Sequence, residues 1–227
     1  MNDYRNTLRR AIFSLGRFFL VLSVAIFLVA RIGWTKESVF LLVFLLQMAM
    51  AILYLWRKNP DVVIARIKFH AGTKGWDKLV ILFEILLILA MVLTAGQDIR
   101  FHWSSAPLWL IVLGYVSLSI GMVGSVWALS VNKFAERGVR IQTERGHKVI
   151  DTGPYAIVRH PFYFAFFFLL SGIPLALGSF WALIPAAIAA LLLIVRTSLE
   201  DRMLQEELEG YKEYAGRVRY RLMPGIW

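Results

Sequence analysis

The 227-residue chain is 59% hydrophobic and only 18% charged, and it contains no cysteine. Soluble domains usually hold roughly 45–50% apolar residues and could not hide this excess, so the composition places the chain in a membrane. It also excludes collagen-like, disordered and disulfide-scaffold classes. Without cysteine there is no zinc–thiolate or thiol-nucleophile chemistry. The formal charge of +10 would point a soluble protein towards nucleic acid, but here the basic residues gather in loops and tails, which makes the charge a topology signal.

A membrane-crossing helix needs about 20 mostly apolar residues. Six runs qualify in chain order: 11–32, 39–56, 79–95, 108–131, 162–177 and 180–195. The last two are short. Each carries a proline (Pro174, Pro185) and only Gly178-Ser179 separates them, so they are expected to form a tight helical hairpin. Arg5, Arg9 and Arg10 before the first run imitate a signal sequence, but the run is too long and residues 31–34 make no cleavage site, so the helix is read as retained. An even number of spans puts both ends on one side, and that side then holds 22 of the 25 lysines and arginines, leaving Arg31, Lys36 and Arg100 opposite. The positive-inside rule places both termini in the cytoplasm. The expected fold is an all-α polytopic membrane helix bundle of about six transmembrane helices. Its basic loops should also attract anionic headgroups, at about 1 kcal/mol per residue near the surface.

The chain divides into transmembrane helices over 1–131 and a more polar core over 132–227. In the core, the short hairpin sets two cytoplasmic segments, 132–160 and 197–227, side by side. In the fourth span Ser117, Gly121 and Ser125 recur every four residues, the ordinary pattern for close helix packing. Glu84 lies inside the third span, where a carboxylate is expensive; it is either protonated, paired at the rim or facing a cavity.

The first polar segment reads Gly153-Pro154-Tyr155 and then Arg159-His160-Pro161-Phe162-Tyr163. Gly153-Pro154 marks a turn. Pro161 fits the first helical position, where its missing N–H costs nothing. His160 then caps the fifth helix, and Arg159 stands beside a helix N-terminus that favours an anion such as a carboxylate. In the second segment Arg196 and Glu200 are four residues apart and share a helix face. They are expected either to pair with each other or to be shared with ligands, Glu200 accepting ribose hydroxyls and Arg196 holding an anion. Residues 206–213 read as a solvated helix face. Tyr211, Tyr214 and residues 217–227 read as an interfacial tail of arginines and aromatics.

These residues carry a resemblance. Gly153-Pro154-Tyr155, Arg159-His160-Pro161 with Tyr163, Arg196, Glu200-Asp201, Tyr211, Tyr214 and Pro224 resemble the isoprenylcysteine carboxyl methyltransferase family, and phospholipid methyltransferases share the outline. The resemblance covers roughly residues 130–227. It implies a membrane-embedded enzyme that binds S-adenosylmethionine on its cytoplasmic face and methylates a lipidic acceptor, most simply the carboxylate of an isoprenylcysteine-like substrate. Carried over by motif, the cofactor contacts fall on Gln142, His147, Lys148, Val149, Ile150, Tyr155, His160, Pro161, Phe162, Tyr163 and Glu200. The catalytic arginines would be Arg196 and Arg159, with no metal and no nucleic acid. The chain departs from the family pattern at Asp201, where a second glutamate is common, and at Ala165, where glycine is common. The alternatives are a phospholipid N-methyltransferase, an NADPH-dependent enzyme like the sterol reductases, which end in a similar Arg-Tyr-Arg-Leu-x-Pro tail, and a non-enzymatic membrane protein or transporter.

Overall fold

The computed structural model describes residues 35–67 and 69–227; the expected first span, 11–32, lies outside them. The described residues form seven α-helices and no strand: α1 (Lys36–Lys58), α2 (Pro60–Ala65), α3 (Gly75–Phe101), α4 (Leu108–Val131), α5 (Pro161–Leu177), α6 (Leu183–Glu207) and α7 (Tyr211–Arg217). Helices α1, α3, α4 and α6 are long and apolar enough to cross a bilayer. Helix α5 has 17 residues, about 26 Å at 1.5 Å per residue, slightly short of a hydrocarbon core of roughly 30 Å. The protein is an integral membrane protein built as a polytopic helical bundle.

Local chemistry sets the helix ends. Thr35 and Ser38 form a capping box at the start of α1. At its end the Asn59 side chain donates to the Leu129 carbonyl at 2.9 Å, pinning the α1–α2 corner to α4. Pro161 opens α5 with His160 as N-cap, as the sequence indicates. The link to α6 is longer than the two residues expected. Gly178 ends α5 in the left-handed region (φ 74°), then Ser179 donates to Asp98 at the far end of α3 and accepts from the Ala182 amide. Helix α6 therefore starts at Leu183, not at 180. Around this end Trp103 and Trp181 meet edge-on and Phe101 stacks on Trp103, the aromatic clustering typical of a membrane interface.

The closest packing is between α4 and α5. A Cβ on Gly172 would lie 2.6 Å from the Leu118 amide, and one on Gly121 would lie 2.8 Å from the Ala165 carbonyl. Backbones approach this closely only through small residues. The alanine at 165 is accommodated by a glycine opposite: a Cβ on Gly124 would meet that of Ala165 at 2.9 Å. Ser117 adds a polar link, its hydroxyl donating to the Phe168 carbonyl at 3.0 Å.

Helix α3 packs on α6 through a buried stripe of Asp77, Ile81, Glu84, Met91, Ala95 and Asp98. At 27 residues it is about 40 Å long. It projects past the bilayer, which places Asp77 among the loops of the polar end. Glu84 is 6% exposed, and neither of its oxygens has a hydrogen-bond partner among the described residues. It is therefore not paired at the rim.

The C-terminal quarter departs from the expected interfacial tail. Helix α6 runs unbroken from the membrane to Glu207, and Glu207 pairs with Lys74 at 2.7 Å. Gly210 (φ 78°) turns the chain, so Tyr211 and Tyr214 point inward and are buried where an interfacial position was expected. The final segment folds back across the N-terminus of α5. The Arg159 and His160 amides donate to the Tyr220 and Arg221 carbonyls, both at 2.9 Å. Tyr211 and Arg221 donate to the buried Asp201 and Tyr214 to the Tyr155 carbonyl, while Arg217, Arg219 and Tyr220 stay exposed.

Candidate active site

At the polar end, the connection after α4, the N-terminus of α5, the last turns of α6 and helix α7 enclose a cleft with about 900 Å³ of empty space, part of it open to solvent. Gln142, His147, Lys148, Val149, Ile150, Tyr155, Arg159, His160, Phe162, Tyr163, Arg196 and Glu200 all line it. Pro161 does not; it is buried in the first turn of α5, where it sets the direction of its neighbours.

The loop that forms one wall is fastened from beneath. Lys74 donates its amide to the Val139 carbonyl, and the Val139 amide donates to Asp77 at 2.7 Å. Gly138 permits this approach, since a Cβ there would lie 2.5 Å from the Thr73 methyl. The Gln142 side chain is 1% exposed and holds the loop in shape, donating to the Phe134 carbonyl and accepting from Arg145, both at 2.6 Å. His147 lies against the Phe134 ring at 4.6 Å between centroids. Burial lowers its imidazole to about 4, so it is neutral at pH 7. Its Nδ1 is then free to accept from the Gln142 amide at 3.4 Å.

Opposite, the start of α5 presents two rings. Tyr155 is buried, which pushes its phenol up to about 12, and its carbonyl accepts from the Tyr214 hydroxyl at 2.7 Å. Tyr163 stacks parallel on His160 at 5.7 Å, carries the Arg196 guanidinium 5.2 Å from its ring centre, and donates its hydroxyl to Glu200. Arg196 and Glu200 do not pair with each other. Arg196 donates from Nε to Asp77 at 2.8 Å and from Nη2 to the Arg137 carbonyl at 3.1 Å. The reason is physical. An exposed i, i+4 pair is worth about 0.3–0.5 kcal/mol, whereas a charge-assisted bond to the fully buried Asp77 belongs to the class worth about 1.5–3 kcal/mol.

Arg159 does not face an open anion site. It grips Asp201 with Nε at 2.7 Å and Nη2 at 3.0 Å, while Nη1 donates to the Val218 and Arg219 carbonyls, each at 2.9 Å. Asp201 is a hub with no exposed surface. Besides Arg159 it accepts from Tyr211 at 3.0 Å, Arg221 at 2.9 Å and Gln205 at 2.8 Å, and His160 Nε2 lies 3.3 Å away. Burial, with the Asp201 charge beside it, keeps the Tyr211 phenol protonated well above its usual range, so it serves as a donor. A glutamate here would carry its carboxylate one methylene further into a closed space. The short side chain fits the hub.

The structure adds cleft residues that the sequence reading did not place in the site, chiefly Arg66, Asn132, Arg137, Met203, Tyr211 and Tyr214, and it adds Asp77 behind Arg196. For Asp77 a signal existed, since it continues the three- and four-residue spacing of the buried α3 stripe one turn below the apolar run. Among the described residues no group of three His, Asp or Glu side chains is placed to hold a metal.

Helical bundle and lining residues together define a membrane protein with a polar cleft at one end of its helices. Residues 108–206, from the start of α4 to the last turn of α6, match the isoprenylcysteine carboxyl methyltransferase (ICMT) family. The match supports assignment to that family and so to the membrane methyltransferases. No curated protein matches the chain.

Proposed function

We propose that the protein is an S-adenosylmethionine-dependent methyltransferase acting on the carboxylate of a lipidic, isoprenylcysteine-like acceptor. One observation carries the reading: His147 to Ile150, Tyr155, His160, Phe162, Tyr163 and Glu200 converge on the cleft that Arg196 also enters. The residues present fit such a cofactor. Tyr155 offers an aromatic ring to a cation, and Glu200 is a carboxylate suited to ribose hydroxyls.

When bound, the cofactor supplies an electrophilic methyl on a sulfonium. What the chain contributes is placement and exclusion of water. A carboxylate acceptor is ionised at neutral pH and needs no general base, so the neutral His147 has no proton to remove. Tyr163 fixes Glu200 through its hydroxyl and supports Arg196 with its ring, leaving the free edge of Arg196 to orient the acceptor. Arg159, with its guanidinium committed to Asp201 and the C-terminal segment, acts by holding the cleft wall in place. The reading includes both termini in the cytoplasm, a cytoplasmic cofactor site within residues 132–227, and acceptor approach from the bilayer.

The test is thermal stability in detergent with S-adenosylhomocysteine or NADPH, followed by incubation of a lipid extract with methyl-labelled cofactor. Stabilisation by S-adenosylhomocysteine alone, with base-labile label in a lipid product, supports a methyl ester. Stabilisation by NADPH, or base-stable label on an amine headgroup, would overturn the substrate assignment. Reporter fusions at Asn2 and Trp227 should both report cytoplasm.

A further inference from the structure

Arg66 follows the short helix α2, outside the segment that matches the family, and it lines the same cleft. Its Nη1 donates to the Ala135 carbonyl at 3.3 Å and the Glu136 carbonyl at 3.1 Å. Its guanidinium lies 4.7 Å from the centre of the Phe162 ring. The next residue of α5, Tyr163, carries Arg196 in the same way at 5.2 Å. Two guanidiniums are thus hung on consecutive rings at one end of the cleft. Stacking on a ring fixes the plane of a guanidinium and leaves its N–H edge available.

The local charges do not balance. Among the described residues Arg66 forms no ion pair, and its Nε and Nη2 have no protein acceptor. Arg137 lines the same end, its guanidinium 4.9 Å from the Phe69 ring centre. None of the neighbouring carboxylates pairs with Arg66. Asp77 takes Arg196 and the Val139 amide, Glu136 takes Arg140 through both oxygens, and Glu200 takes Tyr163. Burial, with Arg196 and Arg137 nearby, lowers Arg66 to about 10, which still leaves it charged at neutral pH. A partly exposed arginine in a cleft, with a free edge and no ion-pair partner, favours an anion beside it. This end of the cleft also adjoins an apolar cluster of Leu55, Val62 and Leu129 against which Phe162 packs, so an anion carried on an apolar tail fits better than a free one.

We propose that Arg66 and Arg196 form a two-arginine carboxylate site, and that its occupant is the carboxylate of the lipidic acceptor. This rests on the methyltransferase reading above and deepens it, because the free edge of Arg66, added to that of the Asp77-paired Arg196, favours an anionic acceptor over an ammonium headgroup. The same chemistry would also suit the carboxylate of the cofactor's methionine end, and the experiment separates the two sources.

The experiment uses the full chain in lipid nanodiscs, as wild type, Arg66→Gln and Arg66→Lys. The ligands are an S-prenylated cysteine carboxylate, its carboxamide, S-adenosylhomocysteine, and 5′-methylthioadenosine, which lacks the amino-acid end. Wild type should prefer the carboxylate over the carboxamide by about tenfold or more, the scale of a charge-assisted contact. Arg66→Gln should abolish that preference and raise acceptor KM while leaving S-adenosylhomocysteine affinity unchanged. Arg66→Lys, which keeps the charge and loses the fork, should recover part of the preference and provides the readout if the glutamine variant does not fold. If Arg66→Gln weakens S-adenosylhomocysteine but not 5′-methylthioadenosine, the carboxylate is the cofactor's and the acceptor assignment is overturned. If wild type and both variants show the same preference, there is no anion site at Arg66. A wild type that prefers the carboxylate but binds no S-adenosylhomocysteine would leave the anion site standing and overturn the methyltransferase reading instead.

Discussion

Arg196 on α6 donates to Asp77 on α3 at 2.8 Å, and Asp77 accepts the Val139 amide with its other oxygen at 2.7 Å. One fully buried carboxylate therefore fixes both a candidate substrate arginine and the cleft loop beside it. Asp77→Asn keeps a polar group of the same size but removes the charge. The expected outcome is loss of about 1–3 kcal/mol of stability and a fall in methyl transfer of at least about tenfold, with S-adenosylhomocysteine affinity retained. Thermal unfolding, ligand titration and single-turnover transfer measure the three separately. Unchanged transfer at saturating ligands would show that Arg196 needs no orientation by Asp77.

How much of this was readable in the sequence depends on where each partner sits. Pro161, the helix it opens and the residues around it were legible because proline chemistry and motif spacing are local. Asp77 was legible only as a continuation of the α3 stripe and not as a site residue, because hydropathy windows stop at the first charges while the α3 backbone continues, and its partner lies 119 residues away. Tyr211, Tyr214 and the basic segment after them have the composition of a headgroup-facing tail. Only the buried Asp201 and the Tyr155 carbonyl, which composition cannot place, reveal that Tyr211, Tyr214 and Arg221 turn inward. The close approach of α4 and α5 was foreshadowed by the stripe with Gly121. The compensation of Ala165 by Gly124 needed the register between two helices.

Glu200 and Arg196 should separate cofactor from acceptor. Glu200→Ala removes a charge-assisted acceptor and should weaken S-adenosylhomocysteine by about 1.5–3 kcal/mol. Arg196→Lys loses the planar fork and should leave that affinity nearly intact while transfer to a carboxylate falls about tenfold or more. Calorimetry on both variants, paired with single-turnover transfer, checks this. The reverse pattern would exchange the two roles.

His147 gives a pH dependence with a definite sign. Its folded pKa is about 4 because of burial, against about 6.5 in an unfolded chain. Between these values the unfolded state takes up a proton that the native state refuses, so the unfolded state is favoured as pH falls. The His147 contribution is therefore constant above about pH 6.5 and destabilising below it, levelling off near 4. His147→Asn should melt with a flatter profile from pH 7 to pH 5 than wild type. Parallel profiles would mean that His147 titrates normally in the native protein.

Arg159 tests whether the C-terminal segment is held by the motif itself. Its guanidinium spans Asp201 on one side and the Val218 and Arg219 carbonyls on the other, and a single ammonium cannot reproduce this fork. Arg159→Lys keeps the charge near Asp201 but should release the two carbonyls. The Tyr220 and Arg221 carbonyls would then accept less well from the Arg159 and His160 amides, which they bind in the native fold. The cost is at the scale of a buried pair partly broken, below the roughly 3–5 kcal/mol of outright removal. Hydrogen exchange at the amides of residues 159 and 160 should speed up, and proteolysis within residues 218–227 should increase, while exchange in the middle of α4 stays slow. Cofactor affinity should fall with the loss of order, because His160 and Tyr163 follow directly in the chain. Should affinity fall while exchange and proteolysis stay at wild-type rates, Arg159 would be contacting the ligand itself, and its hold on the C-terminal segment would be incidental to its role.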